Sequence, residues 1–566
     1  MTAATTATRS GGPDSILGIL DRSRIVAGPA YNRWLVPPAA LAIHLCIGMA
    51  YGFSVFWLPL SRAVGGARPV ACPAGSGTVN ALFTTSCDWL ISDLNWVFTL
   101  FIVVLGISAA VWGGWLERAG PRKAGVIAAI CWSGGLLLGA VGIVTHQLWI
   151  LWLGTGVLGG IGLGLGYISP VSTLIKWFPD RRGMATGMAI MGFGGGAMIG
   201  APLAQMLMVY FSTPGGPAGA GSVAAGSIAA GSQGVWQTFV VMGLIYLVFM
   251  MAGAFGYRVP APGWEPAGWR REANTKTMIT HGQVHLKDAH KTAAFWCIWL
   301  VLCMNVSAGI GVISMASPML QEIFGGSLIG HSDVSFTALT PEQRGAVAAI
   351  AAGFAGLLSL FNIGGRFFWA SLSDHIGRKV TYFVFFVLGI AMYALAPWAA
   401  HAGSKMLFVG FFCVILSMYG GGFATVPAYL ADLFGTQFVG AIHGRLLTAW
   451  STAGVIGPVL VSYMREAAIA AGVPRSSVYD VTLYLLAGLL VIGLVANLLV
   501  RPVARKWFMS DAEVTALQVQ AEAAADIPGS AAGGFSPASA LAWAAVGIPI
   551  LWGVWITLTK VAALFS

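Results

Sequence analysis

The stretch SLFNIGGRFFWASLSDHIGRK, residues 359–379, closes a long apolar run with an acid, a glycine and two bases, and GGWLERAGPRK, residues 113–123, closes another in a similar order. Glu117 and Asp374 lie 257 residues apart, as do Gly120 and Gly377, Pro170 and Pro427, Gly187 and Gly444, and Gly200 and Gly457. A spacing kept over that length of chain reads as an internal duplication. Within the first stretch Arg366 precedes Asp374 by eight residues, which on a helix places the guanidinium about 12 Å inside the polar end.

Around these stretches the chain is 57% hydrophobic and 9% charged over 566 residues, with a mean hydropathy of +0.80. An ordinary soluble domain carries about 25% charged residues, so this is a polytopic membrane protein. Stretches near the ~20 residues needed to cross hydrocarbon fall at 34–59, 95–116, 122–145, 148–176, 183–211, 235–257, 293–320, 345–373, 379–399, 405–431, 439–464, 481–500 and 538–563. Their length and their Gly, Leu, Ala and Val content favour helices over barrel strands, which would be short and would alternate apolar with polar residues. The expected class is all-α integral membrane. The expected division is a cytoplasmic segment 1–33, a six-helix half 34–257, a cytoplasmic linker 258–291, a second six-helix half 292–506, a polar tail 507–536 and an extra helix 537–566. Two parallel halves with a site between them near the midplane are the plan of secondary transporters.

Residues 1–33 contain Arg9, Arg22, Arg24 and Arg33 but no signal-peptide pattern. With the N-terminus in the cytoplasm, only Arg62, Arg68, Arg344, Lys405, Arg465 and Arg475 fall in outer loops, out of 30 Lys and Arg. That bias orients the chain in a cell inner (plasma) membrane. It also accounts for the net charge of +10, because a basic inner face meets anionic lipid, and nucleic acid is not implied. Five of the seven cysteines lie inside spans, where a small buried hydrophobe is the default. Cys72 and Cys87 share the first outer loop, and a loop-stapling disulfide and two free thiols both stay open. LGGIGLGLGYISP (158–170) is rich in alternate glycines, but it follows no strand and lies in an apolar span, where small residues let helices approach. No nucleotide is expected there.

GGWLERAGPRK and ASLSDHIGRK (370–379) resemble the paired loop signature of the major facilitator superfamily. NRWLVPPAALAIHLCIGMAYGFSVF (32–56), KWFPDRRGMATG (176–187) and SLFNIGGRFFWASLSDHIGRK are similar to its oxalate:formate antiporter branch, which is related to monocarboxylate transporters. The resemblance covers roughly residues 32–505. It leaves out the outer loop 61–94, the Gly/Ala/Ser-rich stretch 212–234, which reads as a flexible linker, and the tail with the thirteenth span.

Arg366 is the leading substrate-binding candidate. A charge in the bilayer costs about 2.5–3.5 kcal/mol on insertion scales and should face a cavity with a partner. No Asp or Glu falls inside the spans listed above. A guanidinium fork fits a carboxylate with two hydrogen bonds, and the resemblance implies that an Arg here on helix 8 contacts the substrate anion. The alternative is an Arg bonded to helix carbonyls or to Asn362, one turn away. In the oxalate exchanger of that branch a second cation on helix 11 accompanies this Arg, and here the matching position is Trp450. One buried cation suits one carboxylate, so a monocarboxylate is favoured over oxalate.

Asn362 stands where the monocarboxylate carriers place an Asp involved in proton coupling, and Asn does not titrate. Anion exchange stays open, as does coupling to protons through His44, whose ordinary pKa is about 6.5. Tyr51, Tyr167 and Asn305 lie on helices 1, 4 and 7, which line the central cavity in this superfamily, and each offers a polar tip on an apolar wall. Trp450 is a candidate cavity wall. Glu117, Arg118, Arg122 and Lys123, with Asp374, Arg378 and Lys379, are assigned to gating by the resemblance; the other reading is topogenic charge at span ends. The implied partners are a small carboxylate, protons and the lipid bilayer, with no cofactor, metal or nucleotide. An ATP-driven pump is disfavoured because no Lys follows a Gly, so a phosphate-binding GK[ST] loop is absent. An enzyme would need a nucleophile with its base or clustered metal ligands, and a channel would need repeated charge rings.

Overall fold

The computed structural model describes residues 16–28, 31–65, 70–72, 81–178, 182–212, 234–261, 264, 266, 280, 282–435, 438–515 and 536–565. Arg68, nearly all of the stretch 212–234 and most of the tail 507–536 therefore lie outside the described residues, as do the side chains of Glu117 and Arg118. Among the described residues, thirteen helices are long and apolar enough to cross a membrane. They are α1 (Arg33–Leu60), α2 (Ile91–Leu116), α3 (Pro121–Val144), α4 (Leu148–Leu174), α5 (Ile190–Ser212), α6 (Val235–Gly256), α7 (Ala293–Ile329), α8 (Pro341–Ile376), α9 (Arg378–His401), α10 (Lys405–Phe434), α11 (Val439–Ala470), α12 (Arg475–Leu499) and α13 (Pro537–Lys560). Among the described residues β structure is limited to isolated bridges.

The duplication is visible in backbone geometry. Gly120 (φ 89°, ψ 157°) and Gly377 (φ 88°, ψ 150°) make the same turn after α2 and after α8, in a region of φ that a side chain disfavours. Two residues past each glycine stands a base. Arg122 donates to the carbonyls of Ile19, Phe255 and Tyr257, and Lys379 donates to those of Leu498 and Val500 at 2.9 Å. In each half the base thus satisfies carbonyls left open at the C-terminus of α6 or α12, the end that attracts cations.

The halves meet along matched seams. Ser451 on α11 packs at Gly106 on α2 and donates to the Val103 carbonyl at 2.9 Å. The repeat equivalents of Gly106 and Ser451 are Ile363 and Gly194, and α8 packs on α5 there, with Gly194 against Asn362 and Gly195 against Ile363. On the axis between the halves α1 crosses α7. Trp57 Nε1 donates to the Ser314 carbonyl at 2.9 Å, and these two residues are themselves one repeat apart. α1 and α7 are the most enclosed helices, whereas α6, α9, α12 and α13 expose most of their length, with apolar side chains such as Val248, Val481 and Leu551 facing outward. The glycines of 158–170 are spacers, as expected: Gly160 abuts Val104 and Phe101 on α2, and Gly162 abuts Trp132 and Ala128 on α3.

α7 runs beyond its apolar core and carries an acid inward. Glu322 is buried and accepts from Arg465 at 2.5 and 2.7 Å, from Arg475 at 3.0 Å and from the Tyr479 hydroxyl at 2.7 Å. Arg465, expected in an outer loop, is buried in α11. Polar ends of long helices fall outside a hydropathy window, which is why the sequence concealed this cluster. With every oxygen engaged, it ties α7, α11 and α12 together. Cys72 and Cys87 form a disulfide, with Cα atoms 5.0 Å apart. Its loop marks one end of the bundle, called here the disulfide end; the signature loops mark the other.

Candidate functional site

α8 is an unbroken helix with Asn362 and Arg366 one turn apart on the face turned toward α5 and α10. Glycines bring the neighbours close. A Cβ on Gly194 would lie 3.0 Å from Arg366 Nε, and one on Gly420 would overlap the Asn362 carbonyl. The guanidinium is enclosed, at 1% exposure. Its Nε donates to Asn362 Oδ1 at 3.0 Å and its Nη1 to the Ile190 carbonyl on α5 at 2.9 Å. Both partners are neutral, and among the described residues Arg366 has no carboxylate counter-ion. The alternative foreseen for Arg366 therefore holds in part, since it does bond Asn362 and a helix carbonyl. Those bonds leave Nη2 over and leave the charge uncompensated.

Aromatic rings surround the charge. The Arg366 guanidinium lies 5.7 Å from the Phe423 ring centre, in the range of cation–π attraction. Phe423 packs on Trp450 at 4.5 Å, and Trp450 on Tyr167 at 5.1 Å and on Phe193 at 5.4 Å. Phe193 meets Tyr51 edge-on at 4.9 Å, and the Tyr51 hydroxyl is 2.6 Å from that of Tyr419 on α10. The cluster thus draws on α1, α4, α5, α8, α10 and α11, from both halves. Tyr167 OH and Trp450 Nε1 are buried without a hydrogen-bond partner among the described residues, and an indole N–H can only donate. Beside Asn362, Tyr51 and Ser359 lies a cavity of about 10 Å³, the room of one water. Toward the disulfide end α1 and α7 are joined by the Trp57–Ser314 bond and by Ser317 N donating to Ser54 Oγ at 3.4 Å.

Of the residues singled out from sequence, Arg366, Asn362, Tyr51, Tyr167 and Trp450 come together. His44 adjoins them: its ring stacks on Tyr167 at 5.5 Å and its Nε2 donates to the Tyr167 carbonyl at 3.2 Å. Asn305 is placed elsewhere. It lines a separate small cavity with Gly309, Tyr393 and Tyr419, inside the second half. Its Nδ2 abuts Gly422 and has no partner among the described residues. The turn of α7 that carries Asn305 faces Gly422 of α10, and Tyr419 lines the same cavity. Sequence reasoning missed Phe193, Tyr419 and Phe423. Within the signature loops Arg378 bonds Asp374 and Ser373 and lies 3.5 Å from Asp432 at the end of α10. These contacts, like those of Arg122 and Lys379, do not join one half to the other; Lys123 is partly exposed. No group of His, Cys, Asp or Glu among the described residues converges to hold a metal.

A duplicated multi-pass helical protein that encloses between its halves a cation with no carboxylate partner among the described residues has the build of a membrane carrier. Residues 40–458 match the family model of the Major Facilitator Superfamily, and the chain belongs to that family. It is 26% identical over 361 residues to the oxalate:formate antiporter of Oxalobacter formigenes, covering 64% of this chain and 73% of that one. It is 25% identical over 385 residues to apicoplast pyruvate carrier 1 of Toxoplasma gondii, covering 62% and 66%. With monocarboxylate transporter 11 of Mus musculus it shares 29% over 191 residues, or 33% and 37% of the two chains. Among solved structures, the major facilitator transporter FucP in its outward conformation superposes with a TM-score of 0.51 at 12% identity, over 83% of this chain and all of that one. An inward-facing bacterial homologue of the lysosomal transporter Spinster gives 0.50 at 15% identity, over 88% and 98%. These two likenesses concern the fold alone.

Proposed function

We propose that the protein is a secondary active transporter of small organic anions, working by alternating access, with a formate- or lactate-like monocarboxylate bound by Arg366. The observation that carries this reading is the enclosed Arg366, bonded only to neutral acceptors and set among donors. A buried cation without a counter-ion is costly, and a carboxylate offsets it while accepting from Nη2, Tyr167 OH and Trp450 N–H. The names of the oxalate, pyruvate and monocarboxylate relatives support the same cargo class. With Trp450 on α11 in place of a second cation, a dianion would keep one charge unmatched. Exchange of oxalate for formate is the second reading, favoured by the relative of that name. Coupling to protons would run through His44, which touches the site by way of Tyr167. The halves 34–257 and 292–506 act as the moving bodies, the N-terminus faces the cytoplasm, and the membrane is the plasma membrane, in keeping with the distribution of Lys and Arg.

Counterflow in proteoliposomes tests the reading with formate, acetate, lactate, glyoxylate and oxalate. Labelled monocarboxylate should accumulate against the same unlabelled anion inside and should cease to do so in Arg366→Ala. Exchange of oxalate alone would favour the second reading, and simple conductance would overturn both. Stimulation by an inward proton gradient that is lost in His44→Gln would assign the coupling to His44.

A further inference from the structure

At the disulfide end the halves part around a cleft of about 280 Å³, whose mainly apolar lining includes the polar residues Arg62, Gln205 and Ser212 from the first half and Ser317, Gln321 and Arg344 from the second. Arg62 follows the end of α1, where Ser61 already bonds the Trp57 and Leu58 carbonyls through its N–H and hydroxyl. Arg344 stands near the start of α8, beyond the Thr340 cap and Pro341, where a cation opposes the helix dipole. Neither arginine has a carboxylate partner among the described residues. Arg344 makes one long bond, 3.5 Å to the Thr337 carbonyl, and its Nε is buried without a partner. The nearby acids are committed elsewhere. Asp88 accepts from the backbone N–H groups of Val64, Gly65 and Val70 at 2.7–2.9 Å, Glu322 is held by Arg465, Arg475 and Tyr479, and the exposed Glu342 in the first turn of α8 accepts from the Thr340 hydroxyl at 3.1 Å. Partial burial pulls the Arg62 pKa below its ordinary value, with Arg344 and Arg475 adding to the effect and the acids Glu322 and Asp88 opposing it.

We propose that this cleft is a second anion site, where a small carboxylate sits between Arg62 of one half and Arg344 of the other on its way to or from Arg366. Both sites lie along the crossing of α1 and α7, separated by the Tyr51–Tyr419, Ser54–Ser317 and Trp57–Ser314 contacts. The rest of the lining is mostly apolar, with Val55, Leu58, Met208, Val209 and Phe336 among it, so the two guanidinium groups are what the cleft offers an anion. The identity of the cargo rests on the reading of Arg366; the unmatched charge of the cleft does not. Because the two guanidinium groups belong to different halves, a bridging anion also draws the halves together at this end.

The test uses the full chain in vesicles of both orientations, with formate and oxalate counterflow measured from each face at about 0.05 M salt. In the double variant Arg62→Gln/Arg344→Gln the half-saturating concentration on the disulfide face should rise about tenfold, the low end of what focused charge does for anion capture, with the opposite face and the maximal rate unchanged. Arg62→Lys/Arg344→Lys should stay within about twofold of the parent, and about 0.5 M salt should bring the parent toward the glutamine variant, because screening then acts over about 4 Å. Unchanged half-saturation in the glutamine variant overturns the proposal. Equal loss at both faces in the glutamine and lysine variants assigns the arginines to structure and overturns it too, as does an effect seen only with anionic lipid, which assigns them to headgroups. Failure of the Arg366 reading looks different: Arg366→Met would then transport like the parent from both faces while the one-sided effect of the cleft remained.

Discussion

Arg366 stands where a charge is normally expelled, and its two bonds to neutral acceptors replace only part of its hydration. Replacing an uncompensated buried cation with an apolar side chain of similar length relieves desolvation, while Asn362 Oδ1 loses a charge-assisted bond of about 1.5–3 kcal/mol. For Arg366→Met these effects oppose each other, so the thermal midpoint of the purified protein should move by no more than a few degrees. Counterflow should nonetheless fall by at least about 100-fold, since loss of a buried anion–guanidinium pair costs about 3–5 kcal/mol. A folded but inactive Arg366→Met separates a ligand-binding arginine from a structural one; a folded and active variant removes it from the site. Trp450 poses the complementary question. Trp450→Lys should destabilise the protein by about 3–5 kcal/mol through the space left beside Phe423, Tyr167 and Phe193. In the fraction that folds, preference should shift from formate toward oxalate, read as the ratio of the two counterflow rates. Arg366 and Trp450 were legible in the sequence because a cation in an apolar run and a bulky ring at a cation's usual place are anomalies. Phe193, Tyr419 and Phe423 were not, because an aromatic residue in a membrane helix looks the same whether it faces lipid, a neighbour or a cavity. The place of Asn305, apart from the cluster, was hidden for that reason too: its polarity could be read, but the direction of its helix face could not.

The elements hold this cluster by close approach, and adjacent glycines on α8 separate approach from propensity. A Cβ on Gly365 would run into the Ser417 carbonyl of α10, whereas one on Gly364 meets nothing within 4 Å. Gly365→Ala should therefore cost about 1–3 kcal/mol from overpacking and displace Arg366 relative to α10. Gly364→Ala should be neutral or stabilising by up to about 1 kcal/mol from helix propensity. Thermal unfolding of the two purified variants checks the contrast. At the disulfide end the α3–α4 turn is fastened to the first loop by His146, whose ring stacks on Trp89 at 4.0 Å and donates from Nε2 to the Cys87 carbonyl at 2.9 Å. Burial holds the His146 imidazole below its ordinary pKa of 6.5, so the unfolded chain binds a proton more readily than the folded one. This contribution to stability is complete above pH 6.5 and is lost as pH falls below that value toward the depressed folded pKa. The parent should accordingly lose more thermal stability between pH 7.5 and pH 5 than His146→Asn, a variant that tolerates the left-handed backbone here (φ 51°). Equal losses would remove His146 from the acid response. The turn glycines of the signature loops were readable from order and repetition, whereas this fastening joins residues about sixty apart and left no local pattern.

At the scale of the molecule, the twelve duplicated helices and the seam between their halves were implied by a single spacing, but the place of α13 was not. Its sequence carries apolar length and three tryptophans without a repeat partner to locate it. The structure sets it across the seam. Trp543 Nε1 donates to the Trp34 carbonyl at 3.1 Å and Val546 packs on Leu41 and Ala42 of α1. Gly553 lies against Met198 and Ile199 of α5, and Thr557 against Gly356 of α8. α1 and α5 belong to the first half and α8 to the second, so one exposed helix is attached to both of the bodies that move in the proposed transport cycle. Packing in lipid gains little from hydrophobicity and depends on close contact, so this strap is weak beside the core of either half but acts on the coordinate that matters. Any rocking that opens the α5–α8 seam slides α13 against one half. A chain ending at residue 510 should therefore still fold, lose a few degrees of thermal midpoint and exchange anion faster, by about two- to fivefold if the strap contributes roughly 0.5–1 kcal/mol to the barrier. The comparison is of counterflow rates per reconstituted molecule for the full and shortened chains, with Trp543→Ala and Thr557→Val as local variants that loosen one attachment each. Slower exchange in a well-folded shortened chain would mean that α13 supports the moving state and does not restrain it.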